Sequence, residues 1–324
     1  VKIGLIGRSE LLGETAKLLR RKGFDIKFII TAKALPQYRT GEEDFKKLAR
    51  QLNCDFFVAG SLSEKKWARY IRHSGAEIGV SVNYPTRIAG DVLGAFRLGI
   101  LNAHAGDLPR YRGNASPNWA ILNGEKDLTL VIHKMEASEV DSGAVLAEKK
   151  LRLGAKTAIG DVYEWMREKA PGLFFKALCQ IRKDPRFLLR KQPKTSGEGF
   201  RCYPRLPSDS AIDWGLGASE IDRLIRASSE PFEGAYGFYG GKKIRIWRAE
   251  LFRDREKYIA VPGQLSKIDR KSGHVTVITG EGKLKITSVS VDPESRKRQK
   301  PSSVLTSFRT RFEKSFAPPH FVQT

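Results

Sequence analysis

VKIGLIGRSELLGETAKLLRRKGFDIKFIIT, residues 1–31, contains two short β-rich runs, KIGLI (2–6) and DIKFIIT (25–31), on either side of a helical stretch, ETAKLLRRKG. A strand, a Gly-bearing turn, a helix and a second strand make one turn of an alternating α/β pattern. The pattern continues outward. CDFFVAG (54–60) follows the helical EEDFKKLARQLN, and AEIGVSVN (76–83) reads as a buried strand after the helix EKKWARYIRHSG. LGILNAH (98–104) is the next strand. Strands that alternate with helices predict a parallel, doubly wound, Rossmann-like sheet. Ligands of such a sheet are expected beyond the carboxyl ends of its strands.

Further on, LTLVIHKM (128–135) and AVLAEKKLRL (from 143) read as strands around the loop EASEVDSG. From about 157 a long helix is predicted. Val162, Trp165, Met166, Ala170, Leu173, Phe174, Ala177, Leu178 and Ile181 recur at helical spacing, which assigns Trp165 and Met166 to the core. Pro171 marks a place where this helix is expected to kink or divide.

RKDPRFLLRKQPKTSGEGFRCYPRLPSDS is basic and rich in Pro, Gly and Ser, the composition of a linker. After it come an amphipathic helix, ASEIDRLIRASSEP, and β-hairpins with Gly-rich turns, the pattern of a small barrel. The expected organisation is therefore a catalytic α/β domain over 1–190, a linker over 191–207 and an OB-like β-barrel domain over 208–324. A length of 324 residues agrees with two domains.

Charge is the loudest bulk property. The net formal charge is +22, and residues 151–324 hold 34 Lys and Arg against 19 Asp and Glu, +15 of that total. An anionic partner is expected: a phosphate-bearing substrate, a polyglutamylated cofactor or a nucleic acid. No apolar run approaches the length of a membrane span, so membrane insertion is not expected. Cys54, Cys179 and Cys202 are scattered, with no C-x-x-C spacing, and read as reduced thiols of a cytoplasmic protein without structural zinc. The opening residues lack the pattern of a cleavable leader.

Two places are candidates for chemistry. The first is the glycine set Gly4, Gly7 and Gly13. Its spacing is not G-x-G-x-x-G, and the second strand ends without the Asp or Glu that grips a ribose hydroxyl. A nicotinamide site is not predicted, and the glycines are read as the tight turn from strand to helix. The second is Asn102-Ala103-His104. Strand side chains alternate, so Asn102 and His104 point the same way at a strand end. LPRYRG follows directly, with Pro109 and Gly113 fixing a loop, and Asp141 lies in the Gly-containing EVDSGA. His73, His133, His274 and His320 have no partner at catalytic or metal spacing and are read as structural.

Together, LNAHAGDLPRYRG and EVDSGAVL resemble the Asn-x-His…Asp-x-Gly signature of the 10-formyltetrahydrofolate-dependent formyltransferases. That family includes enzymes acting on methionyl-tRNA, glycinamide ribonucleotide and amino sugars. PSDSAIDWGLGASEIDRLIRASSEPFEGAY is similar to the opening of the C-terminal domain found in the methionyl-tRNA enzymes. One departure is local: the family's H-x-S-L-L-P is His104-Ala105-Gly106-Asp107-Leu108-Pro109 here, which removes a hydroxyl and adds a carboxylate.

The resemblance implies acyl transfer to an amine, with 10-formyltetrahydrofolate as cosubstrate and no metal. Asn102 would donate to the oxyanion, His104 would move protons and Asp141 would orient His104. The pterin would lie against Asn83, Tyr84, Arg87 and Ile88 on one side and Glu139, Val140 and Asp141 on the other, with Arg87 a candidate for the glutamate tail. Acceptor contacts are expected from Gly106, Asp107, Arg112, Asn114 and Trp119.

Two amines compete. The tRNA enzymes carry a basic P-D-R-x-x-G-R-G-like insertion after the second strand. This chain has the shorter TAKALPQYRTGEEDFKKLARQL there, as the arabinose-type sugar enzymes do, and Trp119 is a further feature shared with them. A nucleotide-linked amino sugar is the favoured acceptor and initiator Met-tRNA the alternative. The basic run Arg296-Lys297-Arg298-Gln299-Lys300 fits tRNA better. A non-catalytic nucleic-acid-binding protein is the remaining, remote reading.

Overall fold

The computed structural model describes residues 1–193, 201–292 and 297–314. These residues form two compact units. The first comprises 1–117, 126–152 and 162–203; the second takes 118–125, 153–161 and 204 onward.

In the first unit the opening elements are β1 (Lys2–Gly7), α1 (Ser9–Arg21), β2 (Asp25–Thr31), α2 (Glu42–Leu52) and β3 (Asp55–Val58). Next come α3 (Lys65–Ser74), β4 (Ile78–Val82), α4 (Gly90–Leu93), β5 (Ile100–Ala105) and β6 (Arg112–Gly113). After α5 (Ser116–Leu122), whose residues from 118 on belong to the second unit, come β7 (Asp127–Lys134) and β8 (Val145–Arg152), then α6 (Ile159–Lys183), in the first unit from residue 162, and β9 (Arg201–Cys202). The main sheet has the order β3-β2-β1-β4-β5-β7-β8. β1 to β5 are parallel, whereas β7 and β8 join antiparallel to β5 and to each other. The doubly wound sheet predicted from alternation is therefore present, extended by an antiparallel edge.

Why these residues make this sheet is visible in their burial. Ile3, Leu5, Ile6, Phe28, Ile30, Ile78, Val80 and Ile100 are all buried, as strands covered on both faces require. Trp67, Ala68 and Ile71 of α3 pack on Phe28 and Ile30. Gly7 takes φ +147°, and a Cβ there would lie 2.0 Å from the Val82 carbonyl oxygen, so the turn into α1 depends on that glycine. α6 runs through Pro171 as one helix, with Met166 buried as its spacing predicted but Trp165 only partly buried.

The second unit contains α7 (Ala218–Ser228) and the strands β10 (Ala235–Tyr239), β11 (Lys242–Phe252), β12 (Leu265–Asp269), β13 (His274–Ile278) and β14 (Lys283–Val291). They form one antiparallel sheet in the order β10-β11-β14-β13-β12, with Ile221, Leu224 and Ile225 of α7 in its core. Here the expectation of a barrel needs correction. Among the described residues β10 and β12 do not pair, so the strands close no ring. Instead Arg311 bridges Gln264 and Phe312 bridges Tyr239, so the tail touches both edges through single-residue pairings. Among the described residues no helix is long and apolar enough to cross a membrane.

Candidate active site

Asn102 and His104 are the third and fifth of the six residues of β5, two apart and so on one face of the sheet. β7 lies antiparallel beside this strand, and the register sets His133 directly opposite Asn102. Asn102 Nδ2 is 3.2 Å from His133 Nε2. The loop between β7 and β8 then delivers Asp141. Its carboxylate presents Oδ2 at 3.4 Å from His104 Nδ1 and Oδ1 at 3.3 Å from His133 Nε2. Oδ2 also accepts the backbone N–H of Gly113 at 2.9 Å.

The loop that places Asp141 is held under constraint. Asp141 has φ +56°, a left-handed conformation that costs on the order of 1–3 kcal/mol and persists only where the surroundings impose it. One imposing contact follows from Gly143. A Cβ there would sit 1.8 Å from the Lys134 carbonyl oxygen, so only glycine lets the loop lie against the end of β7. That is the physical content of the Asp-x-Gly spacing.

Electrostatically the cluster is arranged around an anion. Burial alone would raise the Asp141 carboxyl. The charges of His104 and His133, the hydrogen bond from His133 and the Gly113 N–H together outweigh it, and hold the carboxyl far below the usual carboxylate range. His104 is only 7 % exposed, and an acceptor faces each of its ring nitrogens. Nε2–H donates to the Tyr111 carbonyl at 2.7 Å. His133 is arranged differently: Nδ1–H donates to the Lys134 carbonyl at 3.1 Å, while Nε2 faces both Asp141 and the Asn102 amide. Protonated, that nitrogen donates to Asp141; unprotonated, it accepts from Asn102.

His133 is the residue of this cluster that sequence reading did not place beside Asn102 and Asp141. A buried polar residue in an apolar strand that runs into the Asp141 loop was the available signal. Only the register of β7 on β5 makes it a neighbour of Asn102.

The other expected residues divide into groups. Tyr84 donates its hydroxyl to the Ala59 carbonyl at 2.8 Å, and burial pushes its phenol up to about 12, with Arg8 opposing. Asn83 has φ +52° and donates to Ser9 Oγ at 3.3 Å. Ile88 is buried in the core beneath them. Arg87 donates to the carbonyls of Ala137 and Ser138, so it joins the two segments named for the pterin. Val140 stands 37 % exposed.

Arg112, expected at the acceptor, is instead a buried brace. Its guanidinium donates to Glu139 at 3.0 Å and to Gln192 Oε1 at 2.9 and 3.2 Å, leaving Glu139 paired with Arg112 and, at 3.8 Å, with Arg201. Gly106 lies under His104, since a Cβ there would meet His104 Nε2 at 2.6 Å and the Tyr111 oxygen at 2.7 Å. Asp107 accepts from the Thr129 hydroxyl at 3.3 Å. The Asn114 backbone N–H donates to the Cys202 carbonyl, and its side chain is exposed. Trp119 belongs to the second unit, where the Arg205 guanidinium lies 5.9 Å from its ring centre. Cys202 is close enough to feel Asp141. Burial first, and then that negative charge, push its thiol up to about 12, which makes it a poor nucleophile at neutral pH.

Arg296 and His320 lie outside the described residues. Among the described residues no group of three or more His, Cys, Asp or Glu is arranged to hold a metal ion.

The formyl transferase family model matches residues 2–178 and its C-terminal-domain model matches 206–309. The chain belongs to the formyl transferase family. Among solved structures, this family member is similar in fold to HypX from Aquifex aeolicus in complex with tetrahydrofolic acid, at TM-score 0.61 and 16 % identity. That match covers 95 % of this chain and 47 % of HypX, so the chain spans about half the length of that relative. The N-formyltransferase from Helicobacter canadensis, in complex with folinic acid and dTDP-3-aminofucose, matches at TM-score 0.65 and 15 % identity, over 88 % of this chain and 98 % of that one. WlaRD, a sugar 3N-formyltransferase, matches at 0.64 and 15 %, over 91 % and 99 %.

Proposed function

We propose that this protein transfers a formyl group from 10-formyltetrahydrofolate to a primary amine, and that the amine is carried by a nucleotide-linked amino sugar. The observation that carries formyl transfer is the buried Asp141 carboxylate shared by His104 and His133, with Asn102 opposite His133.

When bound, the folate supplies the formyl carbonyl. The residues present fit it. Arg87 ties the segment after β4 to the loop before Asp141, which brings together the two stretches that would hold the pterin, and Val140 of the second stretch is partly exposed. Asn102 is half-buried, and its amide N–H is suited to donate to an oxygen on which negative charge develops as an amine attacks. His104, held at Nδ1 by Asp141, would hold and move the proton that must leave the attacking amine and reach the departing nitrogen through Nε2, which exchanges the Tyr111 carbonyl for the reacting nitrogen. His133 keeps the second carboxylate oxygen occupied, which fixes the direction in which Asp141 faces His104.

For the acceptor, the supporting observation is the segment between β2 and α2. It is short, and it is tied down within its own unit. Tyr38 packs by the Arg8 guanidinium, 5.6 Å from its ring centre, and Arg39 pairs with Glu164. No basic arm of the kind that reaches a tRNA acceptor stem extends from it. A sugar 3N-formyltransferase and an N-formyltransferase in complex with dTDP-3-aminofucose share the fold over nearly their whole lengths.

The test is tetrahydrofolate release from 10-formyltetrahydrofolate with UDP-, dTDP- and GDP-linked amino sugars and with charged initiator tRNA. Turnover with a sugar nucleotide is expected. Turnover with Met-tRNA alone overturns the acceptor, and folded protein that binds folate yet formylates no amine overturns the reaction.

A further inference from the structure

The chain that follows α6 contains no residue expected to take part in the chemistry, yet it holds both loops of the site. Residues 189 and 190 pair with Val145 at the start of β8. Arg190 donates to the Leu108 carbonyl at 2.9 Å and to Glu148 at 3.1 Å, so it grips the loop that covers His104. Two residues on, Gln192 grips the other loop. Its Nε2 donates to the carbonyls of Asp141 at 2.9 Å and Gly143 at 2.6 Å, while its Oε1 accepts both bonds from Arg112.

We propose that Gln192 is a positioning residue for formyl transfer: by holding the Asp141 and Gly143 carbonyls it keeps the Asp141 carboxylate aimed at His104 and His133. Three observations converge on this. Asp141 sits in the left-handed region, so its backbone relaxes unless something restrains it. Both amide hydrogens of Gln192 go to the two carbonyls that bracket the Asp-x-Gly turn, which is the restraint required. The oxygen of the same amide is fixed by the buried Arg112, itself paired with Glu139 at the other end of the loop, so the clamp has a rigid anchor. A carboxamide is the one neutral side chain of this length that donates twice in one direction and accepts in the other. An active-site group misplaced by about 1 Å can lose roughly 100-fold in rate, so a residue that touches no substrate can still govern turnover.

The proposal rests on the formyl-transfer reading, and the test separates the two. Gln192→Glu keeps the acceptor for Arg112 and removes both donors to the turn; Gln192→Ala removes both ends. Each is compared with wild type and Asp141→Asn in melting temperature, in kcat and KM for 10-formyltetrahydrofolate, and in the downfield imidazole N–H signals of ¹⁵N-histidine-labelled protein, assigned with His104→Gln and His133→Gln. For Gln192→Glu a fall in kcat of tenfold or more is expected, with KM changed less than threefold and the imidazole signals moved in the same direction as in Asp141→Asn.

Unmoved imidazole signals in folded Gln192→Glu overturn the proposal, whatever happens to the rate. So does a loss confined to melting temperature. If wild type formylates no amine, the formyl-transfer reading fails, and the imidazole signals still decide whether Gln192 controls Asp141. Should either variant melt early, the spectra are read well below its transition, so the comparison stands.

Discussion

Nε2 of His104 donates to the Tyr111 carbonyl oxygen at 2.7 Å, and that bond passes over residue 106, where there is no Cβ to obstruct it. Tyr111 is buried and holds φ +61°, so its carbonyl is turned inward by a strained backbone. The loop after β5 therefore closes on His104 only because residue 106 is glycine, at the position where the family's usual motif has serine.

Gly106→Ala follows from this. A methyl group would sit within 2.7 Å of both the ring and the backbone carbonyl, and at least one must move. Overpacking of this kind costs about 1–3 kcal/mol. The expected outcome is a lower melting temperature together with a kcat reduced about tenfold or more, because the group displaced is His104 itself. Thermal unfolding and steady-state kinetics on the one variant check both; an unchanged kcat refutes the link between the loop and His104.

A second prediction concerns pH. The Asp141 carboxyl is held far below the value it has in the unfolded chain, about 3.9. A carboxyl lowered by folding stabilises the protein fully above the unfolded value, and that stability is lost as pH falls through the native value. The advantage of wild type over Asp141→Asn in melting temperature is thus expected to be present at pH 5 and to shrink as pH falls below about 4. Scanning calorimetry across that range tests it. For the same reason no acid limb between pH 5 and 8 in the rate profile belongs to Asp141, and its appearance there would refute an ionised Asp141.

Asn102 makes a third. If its amide N–H meets the developing negative charge, Asn102→Ala lowers kcat by roughly 10²–10³-fold, about 2.7–4 kcal/mol, with KM for folate little changed. Asn102→Asp, equal in size but anionic, is expected to be no better. A kcat within threefold of wild type in either variant removes Asn102 from the chemistry.

How far the sequence alone reaches can be seen in these residues. The parallel sheet was legible because each strand is an apolar run set off by a helix, and such runs need no partner to be recognised. That Asn102, His104 and Asp141 belong together was legible through residue type and the resemblance of their motifs to a family signature, and the structure makes them neighbours. His133 was not, because its role depends on which residue of β5 it faces, and register is a long-range property that no local pattern carries. Arg112 misled for a related reason. An arginine in a Gly-containing loop reads as exposed, whereas its partners Glu139 and Gln192 lie 27 and 80 residues away in the chain. The barrel was over-read because hairpins with Gly turns specify neighbouring pairings but not whether the first and last strands meet.

His133 then supplies the sharpest test, because it was assigned by geometry. Its Nε2 lies 3.3 Å from Asp141 and 3.2 Å from Asn102. Removing it leaves Oδ1 of a buried carboxylate without this partner, and a hydrogen bond to a charged group contributes about 1.5–3 kcal/mol. His133→Ala is expected to lower kcat roughly tenfold to a hundredfold, and His73→Ala, at an exposed helical histidine bonded to Arg69 of its own helix, to leave it unchanged. The decisive measurement is the cycle with Asp141→Asn. Residues that act through one carboxylate do not add. Once Asp141 is neutral, the further loss from His133→Ala should be less than threefold. Full additivity of the two losses would mean that His133 acts independently of Asp141, which the shared carboxylate does not allow.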